Sequence, residues 1–181
     1  MLIFTPRLTL RPLASADAPA LYAMFADPEA MRYWSSGPWT DPAQGEAYVA
    51  AGQAGDADGS MLRMGIELDG ALAGVANMYK FDKQNRRCDI GYMLARASWG
   101  KGVMQEALAA LIEYAFEELD LHRIEADIDP RNHASARLLQ SLHFIKEGHL
   151  RERWIVNGEI CHSDIYGLLR SDWKKLPWMQ E

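Results

Sequence analysis

Long apolar runs are missing from this chain of 181 residues: none approaches membrane-spanning length, so no bilayer-crossing helix is expected. The opening stretch MLIFTPRLTLRPL has no basic leader followed by a continuous apolar segment, so no secretory signal is read. Cysteine is scarce, with only Cys88 and Cys161, far apart and both in expected strands. Two thiols make no disulfide framework, and buried free thiols in a reducing cytoplasm are the expectation. Basic residues are outnumbered, 19 Lys and Arg against 25 Asp and Glu, for a net charge of −6. That balance gives no general attraction to nucleic acid or to an anionic membrane, and leaves cationic partners such as amines open. The histidines His122, His133, His143, His149 and His162 match no ligand spacing, so no metal is expected. No repeat or low-complexity tract is present.

What remains is ordinary for a globular chain, 49% hydrophobic and 24% charged, and the length suits one domain over residues 1–181. Residues 2–13 alternate as a first strand, with Arg7 and Arg11 outward. Residues 17–25 read as a helix closed by Asp27-Pro28, followed by a second helical piece ending over residues 31–34. Residues 35–42 form a loop and 43–54 return to helix, while the small, polar stretch 52–60 reads as an exposed linker. Two hairpins follow from turn chemistry: residues 61–68 and 71–81 about Asp69-Gly70, and residues 150–156 and 159–169 about Asn157-Gly158. Antiparallel hairpins interrupted by two strand–helix units predict a layered α/β or α+β domain.

The first of those units, CDIGYMLARASWGKGVMQEALAALIEYAFEE, carries the most information. Ile90, Tyr92, Met93 and Leu94 form an apolar strand. Gly100 and Gly102 stand where a helix begins, and Met104, Leu108, Leu111, Ile112, Ala115 and Leu119 recur at helical spacing. A helix N-terminus offers unpaired N–H groups and a partial positive charge, and glycines let an anion, typically phosphate, approach them. A Walker A loop would need Ser or Thr after Gly-Lys, but Lys101 precedes Gly102 and Val103. The dinucleotide fingerprint needs a third glycine where Gln105 stands. ATP- or NAD-type folds are therefore disfavoured.

The run Ala97-Ser98-Trp99-Gly100-Lys101-Gly102 resembles the acyl-CoA pyrophosphate loop of the GNAT superfamily of N-acetyltransferases, with Ala97 in place of the usual Gln or Arg. HRIEADIDPRNHASARLLQSLHF resembles that family's second cofactor segment, a strand and then Asn-x-x-Ser, filled by Asn132 and Ser135. The opening TPRLTLR and a closing hairpin over residues 147–173 extend the resemblance to nearly the whole chain. It is closest to the branch holding ribosomal-protein N-terminal acetyltransferases. The resemblance implies a mixed, mostly antiparallel sheet with a splayed parallel strand pair and helices on both faces. It also implies acetyl-CoA as cosubstrate, no metal, and a small-molecule amine or a protein N-terminus as acceptor. The cytoplasm is the expected location, and a homodimer through the final hairpin or an edge strand is compatible with the sequence.

Residue by residue, the resemblance gives cofactor contacts at Met93, Leu94 and Ala95 on the strand, at Ser98, Trp99, Gly100, Lys101, Gly102, Val103 and Met104 in the turn, and at Asn132, Ser135 and Arg137. Amine acylation calls for a polarised carbonyl, a neutral nucleophile and a proton for the leaving sulfur. Leu139 stands where many relatives carry a Tyr acid, so Ser135 is put forward as the donor to sulfur, against its plain reading as a first-turn helix residue. Asp89, Asp127 and Glu152 are the candidate bases, each also readable as a surface carboxylate. Glu152 is expected two residues before Trp154 on the same strand face, Trp154 filling the place of the branch's hairpin Glu. Tyr33, Trp34, Trp39 and Trp154 are expected around the acceptor cleft, or as core. The leading function is transfer of acetyl from acetyl-CoA to a primary amine; the alternative is a non-catalytic acyl-CoA-binding or regulatory module on the same fold.

Overall fold

Alternation and helical periodicity sort the chain into eight strands and four α-helices in the computed structural model, which describes residues 1–180. In chain order these are β1 (Ile3–Phe4), β2 (Leu8–Pro12), α1 (Ala18–Phe25), α2 (Ala43–Asp58), β3 (Met61–Leu68), β4 (Ala71–Asp82), β5 (Arg87–Leu94), α3 (Val103–Glu117), β6 (Arg123–Ile128), α4 (His133–Ser141), β7 (Ile145–Val156) and β8 (Glu159–Leu169). They make a single sheet in the order β1-β2-β3-β4-β5-β6-β8-β7. Every neighbouring pair is antiparallel except β5 and β6, which run parallel. This is the mixed, mostly antiparallel sheet expected. Among the described residues no helix is long and apolar enough to cross a membrane.

Strand alternation divides the core in two. On one face Met78, Cys88, Ile90, Ile124, Ala126 and Leu168 pack with the buried stripe of α3, of which Leu108, Leu111, Ile112 and Phe116 are fully enclosed, and with Leu139 of α4. Burial of each such side chain contributes about 1.5–3 kcal/mol, which fixes α3 firmly against the sheet. On the other face Val75 and Met93 pack with Leu21, Met24 and Phe25 of α1 and Val49 of α2. Helices therefore cover both faces.

Three local expectations change. The first strand breaks into β1 and β2, because Pro6 lies in a turn closed by the Thr5 N–H to the Leu8 carbonyl at 3.0 Å, and β1 folds back on β2. Residues 31–34 form turns rather than a helix. The supposed linker is mostly helix: α2 continues to Asp58, because Gly52 and Gly55 press against β3, where a Cβ would lie 2.8 Å from Arg63 Cδ and 2.7 Å from Met61 Cβ. Small residues there serve close packing, not mobility. Both cysteines are buried and free.

Candidate active site

The parallel pair is short. β5 and β6 pair only at Arg87–Arg123, Cys88–Ile124 and Asp89–Glu125, although β5 stays paired with β4 to Leu94 and β6 with β8 to Ile128. Beyond Asp89 the two strands splay, leaving the β6-facing edge of residues 90–94 without a strand partner. Unpaired backbone groups of this kind can accept an added extended ligand.

The open edge runs into the glycine turn. Gly100 and Gly102 have φ of +70° and +72°, left-handed conformations that carry almost no penalty only for glycine, and Gly102 caps α3. The Glu106 N–H bonds the Gly102 carbonyl at 3.1 Å, so the helical amides ahead of Glu106 have no acceptor within α3. Val103 and Met104 bury their side chains and present main chain only. Lys101 is exposed. Arg7, which the sequence reading left as an outward strand residue, joins the turn: its Nη1 donates to the Lys101 carbonyl at 3.0 Å. The same guanidinium binds Glu106 at 2.7 Å, and Glu106 also accepts from the Thr5 hydroxyl at 2.6 Å and the Arg7 N–H at 3.0 Å. Burial alone would push the Glu106 carboxyl up; these donors outweigh it and hold the carboxyl below its usual range. The chain's start is thus tied to the mouth of α3. Ser98 is buried in the approach to the turn, and the exposed Trp99 donates its indole N–H to the Leu94 carbonyl at 2.8 Å. Open strand edge, left-handed glycines, free helix amides and a nearby cation together fit an extended arm ending in a pyrophosphate.

Asn132 caps α4, its Oδ1 accepting the Ser135 N–H at 3.1 Å. That bond fixes Ser135, whose hydroxyl lies 2.6 Å from the Tyr92 hydroxyl across the splay. Sequence reasoning used Tyr92 only as an apolar residue of the strand and gave its hydroxyl no role. Its parity with Cys88 and Ile90 places it on the α3/α4 face, and that was the available signal. Burial pushes the Tyr92 phenol far up; the hydrogen bond with Ser135 offsets little of this, and Tyr166 nearby adds to it. Leu139 is fully buried and offers no proton. Arg137 is exposed on α4 and joins no ion pair among the described residues.

The opposite face of the splay carries the acids. Asp89, Gly91 and Met93 of β5 and Glu125 and Asp127 of β6 share it by alternation. Asp89 is held by the Lys80 ammonium at 2.6 Å. Glu125 is taken by Arg87 and Arg123 at 3.1 and 2.7 Å, and Asp129 by Arg131 at 2.6 Å. Among the described residues Asp127 has only the Arg153 guanidinium, at 3.8 Å, and is the least committed carboxylate here. The Tyr79 ring lies over Gly91, within 3.3 Å of where a Cβ would stand. Burial, then the charges of Asp89 and Asp127, push its phenol up to about 12.

Glu152 departs from expectation. β7 bulges between Leu150 and Trp154, Glu152 takes a φ of +52°, and its N–H bonds His162 Nδ1 at 2.9 Å. It does not share a regular strand face with Trp154, because the bulge breaks the alternation. Trp154 pairs opposite Cys161 and donates its indole N–H to buried Ser163 at 3.0 Å. Trp34 and Trp39 pack on Phe25 with ring centroids 5.5 and 4.5 Å away, as part of the second core. Tyr33 lies on the rim, with the Arg131 guanidinium 5.9 Å from its ring. Their loop reaches the final hairpin, since a Cβ on Gly37 would meet Asn157 Nδ2 at 2.7 Å.

A family model described as "Acetyltransferase (GNAT) domain" matches residues 7–145. The chain belongs to the GNAT acetyltransferase family. This GNAT chain is 36% identical over 174 residues to an uncharacterized N-acetyltransferase, p20, of Bacillus licheniformis, covering 94% of this chain and 97% of that one. It is 27% identical to the spermidine N(1)-acetyltransferase of Escherichia coli strain K12, over 83% of this chain and 79% of that protein. The structure of RimL, a ribosomal L7/L12 α-N-protein acetyltransferase in complex with coenzyme A, superposes with a TM-score of 0.85 at 22% identity, over 93% of this chain and 98% of that one. That likeness concerns the fold.

Proposed function

We propose that this GNAT enzyme transfers acetyl from acetyl-CoA to a primary amine, by direct attack and with the splay between β5 and β6 as the reaction centre. One observation carries this reading: the two faces of the splay are chemically distinct, with Ser135 and Tyr92 on the α3/α4 face and Asp127 on the α1/α2 face. Acetyl-CoA, as cosubstrate, supplies the acetyl group as a thioester. The free edge of residues 90–94 aligns the arm and polarises the carbonyl, while the turn at Gly100–Gly102 and the start of α3 take the pyrophosphate. Asp127 draws a cationic amine to the other face and takes its proton directly or through one water. The amine nitrogen then bonds the acetyl carbon as the C–S bond breaks. Ser135 donates a hydrogen bond to the departing sulfur. Of the two protons a cationic amine sheds, Asp127 takes the first before attack and passes it to solvent; the second, released from nitrogen as the amide forms, reaches the sulfur through solvent.

Two acceptor classes suit this arrangement, a polyamine-like amine and a protein N-terminus, in keeping with the names of the relatives. A peptide α-amine, with a pKa of about 7.7–8.0, is partly neutral near pH 7 and needs little help from a base, whereas a polyamine gains more from Asp127. Free-thiol release from acetyl-CoA across peptides, amino acids, polyamines and aminoglycosides tests the reading. Acceptor-dependent release is expected, and Asp127→Asn is expected to lower kcat/KM for the amine about ten- to a hundredfold with acetyl-CoA affinity unchanged. Silence across the panel, alongside confirmed acetyl-CoA binding, would instead favour an acyl-CoA-binding module.

A further inference from the structure

We infer that Tyr92 is a positioning residue for acetyl transfer: its hydroxyl donates to Ser135 Oγ and thereby turns the serine proton toward the sulfur of bound CoA. This rests on the function proposed above and assigns a device within it. The 2.6 Å contact between the two hydroxyls leaves open which one donates. Three features decide it. The Tyr92 phenol is half-buried against the core and pushed far above its ordinary value, chiefly by burial, so it keeps its proton at any working pH. Its only hydrogen-bond partner among the described residues is Ser135, so donating there is the one way the phenol O–H finds an acceptor within the protein. The Ser135 side chain likewise has no other partner there, although the Ser135 backbone is pinned by Asn132. A serine that accepts from Tyr92 keeps its own hydrogen free to turn into the splay. A serine that donated to Tyr92 would have nothing to offer the sulfur, and the phenol would be left with an unused proton.

Leu139 reinforces this division of labour. The α4 position from which many relatives supply a Tyr is a buried hydrocarbon here, while a tyrosine from β5 reaches the neighbourhood of the sulfur from the other strand of the splay. Tyr92 is too reluctant an acid to give up its proton. Its role is to orient, and Ser135 touches the reacting atom.

The test reads the bound thiol rather than turnover alone. CoA itself is titrated on the wild type, Tyr92→Phe, Ser135→Ala and the double variant, following ultraviolet thiolate absorbance as a difference against the CoA-free protein. The ionisable groups around the splay are Tyr166 beside Tyr92, Cys88 on β5, and on the opposite face Tyr79, Asp89, Glu125 and Asp127 with their cations Lys80, Arg87, Arg123 and Arg153. Burial pushes Cys88 up to about 12, with Asp89 and Glu125 adding to it, and Tyr79 also lies near 12, both clear of the CoA thiol. In the wild type the bound thiol should titrate about one unit below free CoA, the worth of one hydrogen bond to a charged acceptor. Ser135→Ala should abolish that shift, Tyr92→Phe should remove most of it, and the double variant should match Ser135→Ala. In acetylation of spermidine or a peptide amine, Tyr92→Phe should lower kcat about five- to tenfold with the KM for acetyl-CoA unchanged.

A merely structural Tyr92 would lower the melting temperature yet leave the thiol shift intact. The melting temperature of Tyr92→Phe should fall only about 2–4 °C, which separates lost orientation from lost fold. A Tyr92→Phe variant that keeps the full wild-type shift overturns the inference while leaving the acetyltransferase reading standing. A wild type that binds CoA without any shift overturns the assignment of both residues. A wild type that does not bind CoA removes the function on which both rest.

Discussion

Replacing Gly102 separates backbone strain from electrostatics at the turn. Gly102 holds a φ of +72°, and a Cβ there would meet only Arg7 Nη2, at an ordinary 3.5 Å. Gly102→Ala therefore costs about 1–2 kcal/mol of left-handed strain and little sterically, so the melting temperature should fall by about 2–8 °C and CoA affinity by a few-fold. Gly102→Glu adds the same strain plus a carboxylate at the mouth of α3. Arg7 is already committed to Glu106 and is poorly placed to neutralise it. A unit charge about 6 Å from one phosphate charge, at an effective dielectric near 20, costs about 3 kcal/mol, or roughly a hundredfold in Kd. Isothermal titration of CoA on both variants reads the difference directly. Repeating it in high salt should shrink the gap between Glu and Ala, because the extra loss is Coulombic. Equal weakening by the two variants, or a gap indifferent to salt, would refute the placement of the pyrophosphate at this turn.

Glu106→Gln should lower the melting temperature at neutral pH, since it weakens the carboxylate's contacts with Thr5 and Arg7. Because the folded Glu106 carboxyl is held below its ordinary value, its contribution is present above the unfolded value of about 4.3 and lost as pH falls through the folded one; melts between pH 7 and 3 should show a shallower acid decline in the variant. Gly45→Ala should be more disruptive than its chemistry suggests. Its Cβ would stand 2.4 Å from the Ala18 carbonyl oxygen, a backbone atom that cannot swing aside, so α1 and α2 must separate at a cost of about 1–3 kcal/mol, readable as a lower denaturation midpoint.

What the sequence made legible follows from local physics. Gly100 and Gly102 marked the turn because left-handed backbone strongly selects glycine, and the α3 stripe marked the helix because a buried face must repeat every 3.6 residues. The hairpin turns at Asp69-Gly70 and Asn157-Gly158 were visible for the same reason. Gly52 and Gly55 misled, since composition cannot distinguish a small residue that gives freedom from one that permits contact, and the contact lies on β3. The Glu152 bulge left no mark, because a strand with an irregularity is written in the same residue types as one without. Tyr92 and Ser135 stand 43 positions apart, as Arg7 and Glu106 stand 99, and no local pattern encodes such meetings. Parity named the face for Tyr92; only the closure of β5 beside β6 and α4 supplied the partner.

The brevity of the β5–β6 pairing also has a mechanical side. One leaf of the sheet, β1 to β5, meets the other, β6, β8 and β7, along a spine of three residue pairs. Two plates joined along so little of their common border act as an open book, held at its angle by α3 and α4 lying across the binding. A ligand strung along the open border supplies the missing stitches. Those amide protons of residues 90–94 that face the open border rather than β4, free to exchange while it is open, should then become markedly slower, and the leaves should lose their freedom to flex. Under the function proposed above, the cosubstrate is also a structural strut, and product release is the moment at which the book is allowed to open again.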